Sequence, residues 1–232
     1  MRAMSTALSS PSSSAQVPLA MAPATSALVS STFAKHQRLS VRQKRRWLEV
    51  LFNWEAKNSY AVYDEDGAHV LQVKEEGSGL LNILKRLFLR TARPFDAVVY
   101  DNPIPKPLLL LERPFRFIFA RLDVRAADGT PLGSIEREWS WLRRIYSVKD
   151  ARGREVARLF GPILRPWTFE LQVDGVSRGI LQKRWGGFTS EFLTDADNFV
   201  LDLAGIVDPN TRALCFAATV LIDVVHFEAS KH

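Results

Sequence analysis

Cys215 and four histidines, at positions 36, 69, 226 and 232, are the residues from which nucleophilic or metal chemistry in this chain would have to be built. They are poorly placed for it. The histidines are scattered without ligand spacing, and a single cysteine excludes both a disulfide framework and a cysteine-based zinc site. Cys215 lies inside "TRALCFAATVLIDVVHFE" (211–228), the most apolar stretch, and reads as core filler rather than nucleophile. No phosphate-binding loop and no His-Glu-x-x-His occurs. The sequence is read as non-enzymatic, with no cofactor required.

Basic residues offer a different chemistry. The net charge of +6 favours phosphate-bearing partners, such as anionic lipid or nucleic acid. One segment concentrates it, "GSGLLNILKRLFLRTARPF" (77–95). Read as a helix, Leu80, Leu81, Leu84, Leu87 and Phe88 form one stripe, with Lys85, Arg86, Arg90 and Arg93 beside or opposite it. That is the pattern of a helix lying in a membrane interface, and Leu84 to Phe88 with Arg90 and Arg93 are its candidate lipid contacts. A plug helix closing one end of a barrel, its basic face merely solvated, has the same pattern. The basic run "VRQKRR" (41–46) is interleaved with Leu39, Trp47, Leu48 and Leu51, and reads as the polar face of the domain's first element.

The elements that must position these residues begin with the apolar stretch itself. Spanning a bilayer takes about 20 apolar residues. Here the uninterrupted run is Ala213 to Ile222, and Asp223 then intrudes. Asp208 can cap a helix and Pro209 fits its first position. A helix apolar on every face is either a membrane span or buried on all sides. Its length and its aspartate favour a buried core helix over 209–227, with Ala213, Phe216, Val220 and Asp223 as its candidate central residues.

The rest of the body reads as strands. "SYAVYDEDGAHVLQVK" is a hairpin turning at Asp66-Gly67, and turn residues recur along the chain from there. This predicts a mainly β fold, a closed antiparallel barrel of about 10–12 strands, wide enough for one central helix. Arg-Pro-aromatic recurs at 93, 113 and 165, and Gly133 and Gly179 each precede a tryptophan by six residues, which suggests a duplicated meander. Residues 1–37, rich in Ser, Ala and Pro, read as a disordered tail before a domain over 38–232. Prolines and a sparse basic region argue against a secretory signal.

In order, "FNWEAKNSYAVYDEDG", "LERPFRF", "FGP", "LTDADNF" and "VLIDVVHFE" resemble the phospholipid scramblase family, from about Val41 to Glu228. The resemblance implies a Tubby-like fold, a closed barrel around a central C-terminal helix. It also implies an anionic phospholipid membrane as partner, a position at the cytoplasmic face of that membrane, and calcium-stimulated movement of phospholipids between leaflets. The other reading is a soluble module that binds lipid headgroups, or nucleic acid, without transport. Where animal members carry cysteine clusters that can be palmitoylated, this chain has the cationic stripe instead.

The family's calcium segment corresponds to "DADNFVLDLAGI" (195–206). Asp195 and Asp197 supply positions 1 and 3 of an EF-hand-like loop. Position 5 is Phe199 and position 12 is Ile206, where a carboxylate is needed, so the site is degenerate and calcium binding is doubtful.

Overall fold

The computed structural model describes residues 25–43, 59–76, 95–114, 119–184 and 198–227. Twelve strands form one closed antiparallel barrel in which every strand pairs with its neighbours in sequence and β1 closes on β12. They are β1 (Arg38–Gln43), β2 (Ser59–Tyr63), β3 (His69–Glu76), β4 (Phe95–Asp101), β5 (Lys106–Arg113) and β6 (Arg121–Ala126). The second half comprises β7 (Pro131–Glu138), β8 (Arg144–Asp150), β9 (Glu155–Gly161), β10 (Thr168–Val173), β11 (Val176–Arg184) and β12 (Asn198–Asp202). Helix α1 (Thr25–Lys35) precedes the barrel, and α2 (Pro209–Ile222), extended by a π-helical turn (Asp223–Phe227), follows it.

Alternation explains why these segments are strands and which face turns in. Leu39 and Val41 of β1, Ala97 and Val99 of β4, Leu122 and Val124 of β6, and Phe199 and Leu201 of β12 are buried, with their neighbours more exposed. The inward residues meet α2, which lies closest to β7 and β8. Thr211 to Val225 are buried without exception, so the barrel surrounds the helix. The barrel also leaves no open sheet edge.

An up-and-down barrel has two unlike ends. At one, the connections are tight turns. Asp64 Oδ1 accepts the main-chain N–H of Asp66 (3.1 Å) and Ala68 (2.8 Å) between β2 and β3, with Gly67 at φ 81°. Asp150 Oδ1 does the same for Arg152 and Arg154 between β8 and β9, both at 2.9 Å. Asp174 and Gly175, both at positive φ, make the two-residue turn between β10 and β11. At the other end lie the connections from β1 to β2, β3 to β4, β5 to β6, β7 to β8, β9 to β10 and β11 to β12. We call these the turn end and the loop end. Helix α2 enters at the turn end, after β12, and its last turn points to the loop end.

One expectation needs correction. Residues Thr25–Lys35, assigned to a disordered tail, form α1, with Val29 and Phe33 fully buried. The tail is rich in Ser, Ala and Pro, but one turn of it presents an apolar pair four residues apart that α2 covers. In the internal echo, Gly133 lies on β7 and Gly179 on β11, four strands apart, so the echo does not divide the twelve strands into two equal halves. The shared glycine has a local cause. A Cβ at Gly133 would sit 2.1 Å from the Lys149 carbonyl oxygen, and one at Gly179 would sit 2.3 Å from that of Asp202. Each is a point where the neighbouring strand approaches too closely for a side chain.

Candidate functional site

Asp208 starts the central helix. Its Oδ2 accepts the Thr211 N–H at 2.8 Å and the Thr211 hydroxyl at 2.7 Å, and Pro209 supplies the first-turn residue that needs no donor. Ala213, Phe216, Val220 and Asp223 share one side of the helix and are buried, and with every residue from Thr211 to Val225 buried the helix is enclosed on every face. Among the described residues no helix is long and apolar enough to cross a membrane. Asp223, the residue that spoils a membrane span, is accommodated inside the barrel, where the Tyr60 hydroxyl donates to its Oδ2 at 2.7 Å.

Cys215 sits on this helix, fully buried, and desolvation pushes its thiol pKa up to about 12. A thiolate is the reactive form, so both access and ionisation are denied to it. Native protein is expected to leave Cys215 unlabelled by a thiol reagent over a period in which denatured protein reacts completely. Rapid labelling without denaturant would contradict the enclosed helix.

The turn end is closed by α1, and one side chain ties it down. Arg212, 8% exposed, donates Nε–H to the Ile206 carbonyl at 2.6 Å. Its Nη1 reaches the carbonyls of Phe33 (3.3 Å), Ala34 (3.2 Å) and His36 (3.3 Å). These are the orphan acceptors at the C-terminus of α1, where the helix dipole also favours a cation. The rings of Phe33 and Phe216 meet beside them, centroids 5.5 Å apart.

The loop end carries exposed apolar side chains instead. Trp139, Trp141 and Leu142 follow β7, and Ile163 and Leu164 precede β10, all exposed. Neither 139–143 nor 162–167 contains an acidic residue; between them they carry Arg143 and Arg165, and Arg144 opens β8 beside them. Among the described residues, Glu76, Asp96 and Glu112 lie on β3, β4 and β5, and Glu138, at the end of β7, pairs with Arg158 at 3.3 Å.

The sequence-derived candidates divide sharply. Leu84, Lys85, Arg86, Leu87, Phe88, Arg90 and Arg93 lie outside the described residues, as do Asp195 and Asp197. The segment holding the cationic stripe joins β3 to β4 and is therefore attached at the loop end. Of the calcium-loop positions that are described, Phe199 and Ile206 are buried apolar residues. The acids nearest in sequence have structural duties: Asp202 pairs with Arg38 at 3.2 Å, and Asp208 caps the helix. Among the described residues, no group of three or more His, Cys, Asp or Glu stands close enough to hold a metal.

Gly175-Val176-Ser177-Arg178-Gly179 does spell the Gly-x-Ser-x-Gly string of serine hydrolases, which an inventory of enzyme motifs must count. The structure removes its meaning. Ser177 follows a hairpin turn into β11, whereas the nucleophile elbow needs a sharp strand-to-helix turn.

Sequence reasoning missed Arg212 and the two exposed loops. A lone arginine at the start of an apolar helix was the signal for the first. For the second it was "WSWLR" and "PILRPW", acid-free runs that break the strand alternation on either side.

Comparison with known proteins agrees with this architecture. The scramblase family model matches residues 15–229. Phospholipid scramblase 2 of Homo sapiens is 26% identical over 205 residues, 82% of this chain and 67% of that protein. Phospholipid scramblase 1 of Mus musculus is 28% identical over 209 residues, 84% of this chain and 62% of that protein. Phospholipid scramblase 4 of Homo sapiens is 28% identical over 199 residues, covering 79% of this chain and 59% of that protein. The chain thus spans about three fifths to two thirds of these relatives' length. No solved structure matches it. With a family model matched from before α1 to the end of the central helix, on a closed barrel that encloses that helix, this chain belongs to the scramblase family.

Proposed function

We propose that this chain works at the cytoplasmic face of a phospholipid membrane and moves phospholipids between leaflets, the activity that its relatives' names state of them. The observation that carries the proposal is the scramblase match over residues 15–229. The enclosed helix shapes it: membrane contact falls to the outside of the barrel, since α2 is occupied within. The cationic stripe supports such contact, with Leu84, Leu87 and Phe88 entering the interface and Lys85, Arg86, Arg90 and Arg93 facing phosphate groups. Calcium is no requirement of this reading, because the carboxylate expected at the last loop position is Ile206.

One observation favours a second reading, a module that binds anionic headgroups without transporting lipid. A polar headgroup needs a continuous wet path through hydrocarbon, and the barrel interior is filled by α2. One experiment orders the two. Full-length chain is reconstituted into vesicles holding a headgroup-labelled phospholipid, and dithionite bleaches the outer leaflet. Scrambling extends bleaching to the inner-leaflet pool. Vesicle binding with no such extension supports the headgroup module. Lys85→Glu with Arg86→Glu is expected to weaken binding to anionic vesicles by about 2 kcal/mol or more, given about 1 kcal/mol per basic residue at such a surface. Binding unchanged by the reversal would assign the stripe to a plug over the barrel mouth.

A further inference from the structure

We infer that the two neighbouring loops 139–143 and 162–167 form a membrane-docking face selective for anionic phospholipid, a reading that rests on the membrane function proposed above. The argument starts from exposure. Trp141 and Leu164 are 83% and 93% exposed, at the tips of connections that share the loop end of the barrel. Large apolar side chains scattered singly on a surface need no explanation, but six gathered on two adjacent connections, Trp167 among them, do.

The loops are also held in place. Arg144 donates to the carbonyl oxygens of Pro166 and, at 3.3 Å, Arg165, bridging one loop to the other. Its guanidinium stacks on the Phe169 ring at 4.6 Å. Trp139 and Trp141 meet edge to face at 5.7 Å, so their outward position is mutually supported. A face already fixed in shape loses little conformational freedom on docking.

The composition selects the partner. Indoles sit stably where hydrocarbon meets headgroups, because the ring is apolar and its N–H is polar. Leu142, Ile163 and Leu164 supply purely apolar insertion. Arg143 and Arg165 are exposed beside them with no acid in either loop, and the nearest one in sequence, Glu138, is engaged by Arg158 at 3.3 Å. Exposed apolar tips flanked by Arg143 and Arg165 complement a layer of phosphate groups over hydrocarbon.

The test uses the full chain with vesicles of phosphatidylcholine alone and of phosphatidylcholine with phosphatidylserine. Wild type is expected to float with the anionic vesicles and to have its tryptophan fluorescence quenched by brominated lipid. Trp141→Ser with Leu164→Ser should reduce vesicle affinity about tenfold or more. Arg143→Glu with Arg165→Glu should abolish the preference for phosphatidylserine. Trp139→Phe with Trp141→Phe keeps the apolar character, so binding should persist while bromolipid quenching falls. Wild-type binding that none of these variants alters, or quenching unchanged in the phenylalanine variant, overturns the docking face and leaves the membrane function standing. Wild type that binds neither vesicle overturns both.

Discussion

Phe216→Ala is expected to destabilise the barrel by about 3–5 kcal/mol, as large aromatic truncations in a packed interior do. The ring is fully buried at the centre of the fold, against Phe33 of α1 and the inner wall of the strands. Its removal leaves a hole that twelve hydrogen-bonded strands cannot collapse to fill. For a domain of this size, the melting temperature should drop by roughly 6–20 °C. Ile104→Ala, at a site 78% exposed in a turn, is the control and should stay within about 0.5 kcal/mol. The result bears on function. Were the helix in contact with lipid instead, acyl chains would fill the space and the loss would be far smaller. A change below about 1 kcal/mol for Phe216→Ala would therefore reopen the membrane-span reading.

That reading failed in the sequence for reasons that can be located. The run to Ile222 is too short, and Asp223 needs a partner that hydrocarbon lacks but Tyr60 provides. Asp208 and Pro209 placed the helix start, and Asp66-Gly67 placed the first hairpin, because caps and turns are chemistry within four residues. Strand number was legible only as a range, since a turn signal marks a boundary without saying which strands close the ring. What stayed hidden depends on distance along the chain. Helix α1 has little periodicity of its own, and what covers its buried face comes from α2, more than 170 positions away. The docking loops read as breaks between strands; only the barrel shows that both emerge at one end. The stripe at 79–93 and the acids Asp195 and Asp197 were legible as patterns, and their proposed roles rest on those patterns.

Arg212→Ala is the second large effect, expected to cost about 3 kcal/mol or more and to free α1 first. The guanidinium serves four main-chain carbonyls, of Ile206, Phe33, Ala34 and His36. Alanine removes all four bonds and leaves the buried Ile206 and Phe33 acceptors without donors, each costing about 1–3 kcal/mol where water cannot replace the lost partner, while the Ala34 and His36 carbonyls lie nearer solvent. Opening of the turn end would let water reach some of them, which holds the total near the lower bound. That same opening releases Phe33 from Phe216, so loss of the α1 helix should accompany the loss of stability. Arg212→Lys keeps the charge near the C-terminus of α1 but not the fork that reaches several carbonyls, and should recover only part of the loss. Two measurements separate this from a general core defect. Denaturant unfolding gives the magnitude, and limited proteolysis after Lys35 reports on α1 under native conditions. Cleavage there should rise sharply in Arg212→Ala while Cys215, deeper along α2, remains unlabelled. Equal gains in cleavage and in labelling would mean that the arginine supports the whole barrel rather than fastening its first helix.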